Sequence, residues 1–118
     1  MPHVIVDGPC SVEQYYTTFR PTGYQDRGIV FKTTECFLNS RRTEALVDSV
    51  VVEGGRPQQF FIWLIQRDGG VMIRLLPATD PEKTEGIKRL IVHVAAAIKA
   101  QHPDCRYGNT NLQGYVSG

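Results

Sequence analysis

At 118 residues, with 42% hydrophobic and 21% charged side chains, the chain has the size and balance of one globular domain spanning 1–118. That is long enough to bury roughly two-thirds of its unfolded surface without help from a disulfide or a metal. A formal net charge of +1 argues against a protein held mainly by nucleic acid. No apolar run reaches the roughly 18 to 20 residues of a membrane span, and Met1-Pro2-His3 does not open an export signal, so a cytoplasmic protein away from membranes is expected.

His3 to Asp7 is a short β-branched run that predicts a strand, stopped by Gly8-Pro9. Ser11 three residues before Gln14 has the spacing of a capping box, and Val12, Tyr15, Tyr16 and Phe19 recur at helical intervals. They predict a helix of about two turns with an aromatic face, closed by Pro21. Pro21 to Gly28 reads as a loop. From Ile29 the period changes to two: Ile29, Phe31, Thr33 and Phe37 form one side of a strand, and Val30, Thr34, Cys36 and Leu38 the other. A second strand follows from about Thr43 to Glu53. Gly54-Gly55 and Asp68-Gly69 are hairpin turns on either side of the strand Gln58 to Arg67, and Val71 to Leu76 completes the run. Asp80-Pro81-Glu82 predicts the start of a long helix reaching about Gln101, with Ile87, Leu90, Ile91, Val94 and Ile98 as its apolar stripe. Val92 and Ala95 to Ala97 widen that stripe and predict a C-terminal half enclosed on more than one side. Residues 103–118 have little periodicity and read as an ordered tail or a flexible end.

The fold class expected from these elements is two-layer α+β: a four- to five-stranded antiparallel meander packed against the long C-terminal helix, with a short N-terminal helix. Its central strand, QQFFIWLIQR, is apolar on both sides, with Phe60, Ile62 and Leu64 on one and Phe61, Trp63 and Ile65 on the other. A run of this kind predicts a sheet covered on both faces. One helix covers one face. The short aromatic helix and the tail are expected to hide part of the second, and a homodimer or an apolar ligand to cover the remainder, because large apolar patches seldom stay bare.

Candidate chemistry is sparse. Arg74 interrupts the apolar strand VMIRLL and could hold a carboxylate or phosphate, although a solvated or ion-paired arginine is the simpler reading. With Phe61 and Trp63 it makes up the candidate binding residues. A small-molecule ligand would lie between sheet and helix. Cys10, Cys36 and Cys105 are too few and too widely spaced for a zinc site or a disulfide framework, so no metal and no cofactor is expected. Cys10, next to a helix start, is the one thiol whose position could lower its pKa. His93 reads as a partly buried helix residue, and the arginines between Arg20 and Arg42 as charged turn residues and not a nucleic-acid surface.

The opening MPHVIV resembles the start of tautomerase-superfamily chains, particularly the carboxymethyl-hydroxymuconate isomerase branch. In that family the initiator Met is removed and the proline amine acts as a general base, so the resemblance implies Pro2 as the catalytic candidate. It covers about six residues and ends where such chains place a long helix after the first strand. The expectation is therefore a cytoplasmic binding or interaction domain that forms a homodimer, with a Pro2-dependent isomerase as the alternative.

Overall fold

The alternating segments pair into one seven-stranded antiparallel sheet, seen in a computed structural model that describes residues 2–116. In chain order the elements are β1 (His3–Asp7), α1 (Val12–Thr18), β2 (Thr22–Asp26), β3 (Ile29–Leu38), β4 (Glu44–Glu53), β5 (Arg56–Arg67), β6 (Gly70–Leu75), α2 (Glu85–Lys99) and β7 (Arg106–Thr110). The strands lie in the order β2-β3-β4-β5-β6-β1-β7. The expected α+β class holds. The five strands β2 to β6 form the meander, and the sheet is wider than expected because β1 and β7 extend it beyond β6.

Two strands were hidden in the sequence. β2 (TGYQD) and β7 (RYGNT) lie at the two edges; β2 exposes four of its five residues and β7 buries only Thr110, so neither needs the apolar alternation that announces a half-buried strand. β2 is fixed by its ladder to β3 and by a 2.8 Å hydroxyl pair between Thr22 and Thr33. β7 continues into a tail that buries Leu112 and joins Tyr115 Oη to Glu85 on α2 at 2.7 Å.

The β5 hairpins form where the turn glycines lie. Gly54 and Gly55 both have positive φ, 57° and 74°, as a tight two-residue turn requires. In β3, by contrast, strict alternation fails. The register with β4 shifts between Thr33 and Glu35, a β-bulge. Phe31, Thr33 and Cys36 consequently point inward, and Phe37 points out with 53% of its surface exposed. Strict alternation from Ile29 instead predicts Phe37 beside Phe31, with Cys36 opposite them.

Ser11 caps α1 as expected, accepting from Gln14 N at 3.0 Å. Two glutamines that carried no sequence signal anchor this cap. Gln66 accepts from Val12 N at 2.9 Å and donates to Gly70 O at 3.0 Å, while Gln101 accepts from Ser11 N at 2.9 Å and donates to Ser11 O at 3.1 Å. The start of α2 lies later than Asp80. Glu82 N donates to Gln58 and its carboxylate pairs with Arg56 at 2.8 Å, which ties this segment to β5. Thr84 becomes the cap, accepting from Ile87 N. Gly86, Ile87, Leu90, Ile91, Val94, Ala95 and Ile98 are buried, but Ala96 and Ala97 are exposed. The C-terminal half of α2 is therefore covered on one face, not on several.

Both helices and the tail cover the same face. Val4, Val6, Val47, Val51, Phe60, Ile62, Leu64, Val71 and Ile73 project inward to meet them and are fully or almost fully buried. Neither α1 nor the tail reaches the opposite face, contrary to the sequence expectation. The physical reason lies in α1: Val12 is buried in the core, and Tyr15 and Phe19 pack against that same core.

Candidate interaction surface on the outer sheet face

Strand register places the outward residues in rows. Phe37, Leu46, Trp63, Arg74 and His3 are successive cross-strand partners from β3 to β1. Glu44, Ile65, Met72 and Ile5 form the next row on one side. On the other side Glu35 pairs with Asp48, and Asp48 with Phe61. The three residues singled out from sequence, Phe61, Trp63 and Arg74, thus meet on a single face among Phe37, Leu46, Ile65 and Met72. Among the described residues neither helix nor the tail lies over it.

Trp63 is held at both ends. Its indole N–H donates to Glu44 Oε1 at 2.8 Å, and the Arg74 guanidinium carbon stands 5.7 Å from its ring centroid, in cation–π range. Phe61 meets Phe37 edge-on, with ring centroids 6.5 Å apart. Arg74 Nε is buried and has no hydrogen-bond partner, and no carboxylate among the described residues comes within ion-pairing distance of its guanidinium. Arg74 thus makes no ion pair among the described residues. It is a partly buried cation beside an aromatic ring.

Charge divides across this face. Glu35, Asp48 and Glu44 lie on β3 and β4, and Arg67 and Arg74 on β5 and β6. Glu35 and Asp48 are directly opposed like charges, which a sheet tolerates at a cost. Asp48 draws a 3.0 Å hydrogen bond from Gln59, but among the described residues no cation pairs with either carboxylate. Lys32 at one corner of the face and Asp7 at the other carry the opposite sign to their halves.

Shallow clefts flank the Trp63–Arg74 pair. One, about 350 Å³ and mainly apolar, is lined by Phe37, Leu38, Leu46, Trp63 and Leu76. The other, also about 350 Å³, is lined by His3, Ile5, Arg67, Met72, Arg74 and Asn109. Between sheet and helices a smaller cleft of about 220 Å³ lies among Tyr15, Phe19, Thr33, His93 and Gln101.

The remaining candidates are set apart from this face. Pro2 is buried ahead of β1 and lines none of these clefts. Met1, whose removal an isomerase mechanism would require, lies outside the described residues, as do residues 117 and 118. His93 packs against the Tyr24 ring at 4.8 Å, and partial burial holds its pKa below the usual histidine value. Cys10 does not gain acidity from α1. Burial, and secondarily the neighbouring Cys105 thiol, push its pKa up to about 11. Among the described residues no group of three or more His, Cys, Asp or Glu side chains is placed to hold a metal ion.

No family model, no curated protein and no solved structure matches this chain.

Proposed function

We propose that the protein is a cytoplasmic binding and interaction module that works as a homodimer, with the outer sheet face as its interface. One observation carries the reading: a face bearing Phe37, Leu46, Phe61, Trp63, Ile65 and Met72 is left uncovered by both helices. Extent favours a second copy over a small molecule. Seven strands at the usual spacing give a face of about 700 Å² in projection. A standard protein interface buries about 800 Å² per partner. Each of the flanking clefts is shallow and takes up only part of that face. Two such faces stacked about 10 Å apart would form a sandwich closed on both sides by helices. The cysteines support a reducing compartment, since Cys10, Cys36 and Cys105 are all free thiols. No helix among the described residues is long and apolar enough to cross a membrane.

Light scattering at micromolar concentration, paired with native mass spectrometry, tests the proposal. A mass of two chains is expected. A monomer, whether empty or carrying a bound small molecule, would overturn it.

A further inference from the structure

The outer face is electrostatically incomplete in both halves, and the two deficits match. On the β3–β4 side, Glu35 and Asp48 are opposed carboxylates that pair with no cation among the described residues. On the β6 side, Arg74 is a cation whose Nε is buried without a partner. Within one chain they cannot meet. Leu46 and Trp63 stand between Phe37 and Arg74 in one row, and Phe61 is next to Asp48 in the adjoining row.

We infer that the second copy packs about a two-fold axis running along β5, and that Arg74 of each chain is answered by the Glu35–Asp48 pair of the other. This rests on the dimer proposed above and specifies its orientation. A two-fold along β5 lays β3 of one chain over β1 of its partner and β4 over β6, and keeps each residue in its own row. Arg74 then stands over Leu46 of the other copy, one row or about 7 Å from its Asp48, a gap that an extended arginine side chain spans. Arg67 meets its own copy only at the rim, at the end of β5. A two-fold across the strands would instead set β3 on β3 and β4 on β4, bringing four carboxylates together, an arrangement that like-charge repulsion opposes. The chosen axis also sets Trp63 near the centre of the contact, where fully desolvated aromatic anchors carry most of an interface's energy. In the single chain the Trp63 ring already holds the Arg74 guanidinium in place. The side chain therefore loses less freedom when a carboxylate arrives.

Charge reversal and its complement test this orientation. Arg74→Glu should weaken self-association at least tenfold, and the double variant Glu35→Arg, Asp48→Arg should do the same. An equimolar mixture of the two should dimerise again, since every reversed charge then faces its opposite. Sedimentation reads the masses, and circular dichroism checks that each variant is folded. Self-association of Arg74→Glu at wild-type strength, or a mixture no tighter than its components, overturns the inference while leaving the homodimer standing. A monomeric wild-type protein overturns both. If Arg74→Glu does not fold, the wild-type dimer alone decides. Its dissociation constant should rise as salt increases from about 0.05 to about 0.5 M, and indifference to salt overturns the orientation.

Discussion

Trp63 and Arg74 are register partners across β5 and β6, and the guanidinium carbon lies 5.7 Å from the indole centroid. The protein's single tryptophan therefore reports on the centre of the outer face. Its emission should shift to shorter wavelength as protein concentration is raised through the dimerisation range, because a second sheet would exclude water from the ring. Arg74→Glu should remove that concentration dependence.

Phe37 is 53% exposed, so its side chain contributes little to the monomer's own core. Phe37→Asp should cost the monomer about 1 to 2 kcal/mol, through the lost edge-on contact with Phe61 and the poor fit of aspartate in a strand, well below the cost of deleting a core aromatic. Chemical denaturation of the monomeric form measures this. The same variant should lose self-association, because it places a charge inside the apolar contact.

Gly70 behaves differently. A Cβ built at this position would stand 2.2 Å from Val6 O and 3.1 Å from Asp7 Cα, both backbone atoms of β1. Gly70→Ala must push β1 away from β6 or distort the ladder, and a loss of about 1 to 3 kcal/mol is expected from overpacking. A smaller loss by thermal or urea unfolding would mean that β1 is less firmly seated than its register implies.

Two candidate caps for α2 can be separated by mutation. Thr84→Ala removes the oxygen that accepts from Ile87 N and also a hydrogen bond to Glu53, and should cost about 1 kcal/mol or more. Asp80 lies outside the helix, where among the described residues its exposed carboxylate pairs only with Lys83. Asp80→Ala should cost less than half as much by the same unfolding assay.

The three thiols are buried, and burial raises both Cys10 and Cys36 from 9.0 to about 11. In the unfolded chain they ionise near the ordinary value. The contribution of the neutral thiols is therefore fully present below about pH 9 and is lost as pH rises towards 11. Thermal stability should fall across that window, and replacing Cys36 with Ala should reduce the slope. Below pH 8 all three should react slowly with a disulfide reagent in the native protein and rapidly in denaturant.

The parts of this fold that were legible in the sequence are those where burial imposed a period. Phe60, Ile62 and Leu64 are buried on one side of β5, and Ser11 caps α1. The edge strands were silent because exposed Thr22, Gln25 and Asn109 serve as well in a loop as in a ladder. The later start of α2 was hidden because Asp80-Pro81 is a good helix opening by local chemistry. It was overridden by Gln58 and Arg56, which are distant in sequence. For the candidate surface, the composition of β5 showed that a second face existed. Which of the available covers would reach it depended on how α1 docks, and helical spacing of Val12, Tyr15 and Phe19 fixes only that the helix has a sticky side.

The bulge between Thr33 and Glu35 has a consequence for how readily this surface could be gained or lost. Taking out Thr34 or Glu35 would absorb the extra residue: Thr33 still points inward, the one residue left points out, and Cys36 and Phe37 keep their present sides. The aromatic contact would thus survive the loss of one codon. Flattening the bulge with all its residues kept would instead turn Phe37 towards the helices and Cys36 out into water, leaving a more solitary and more easily oxidised protein on nearly the same backbone.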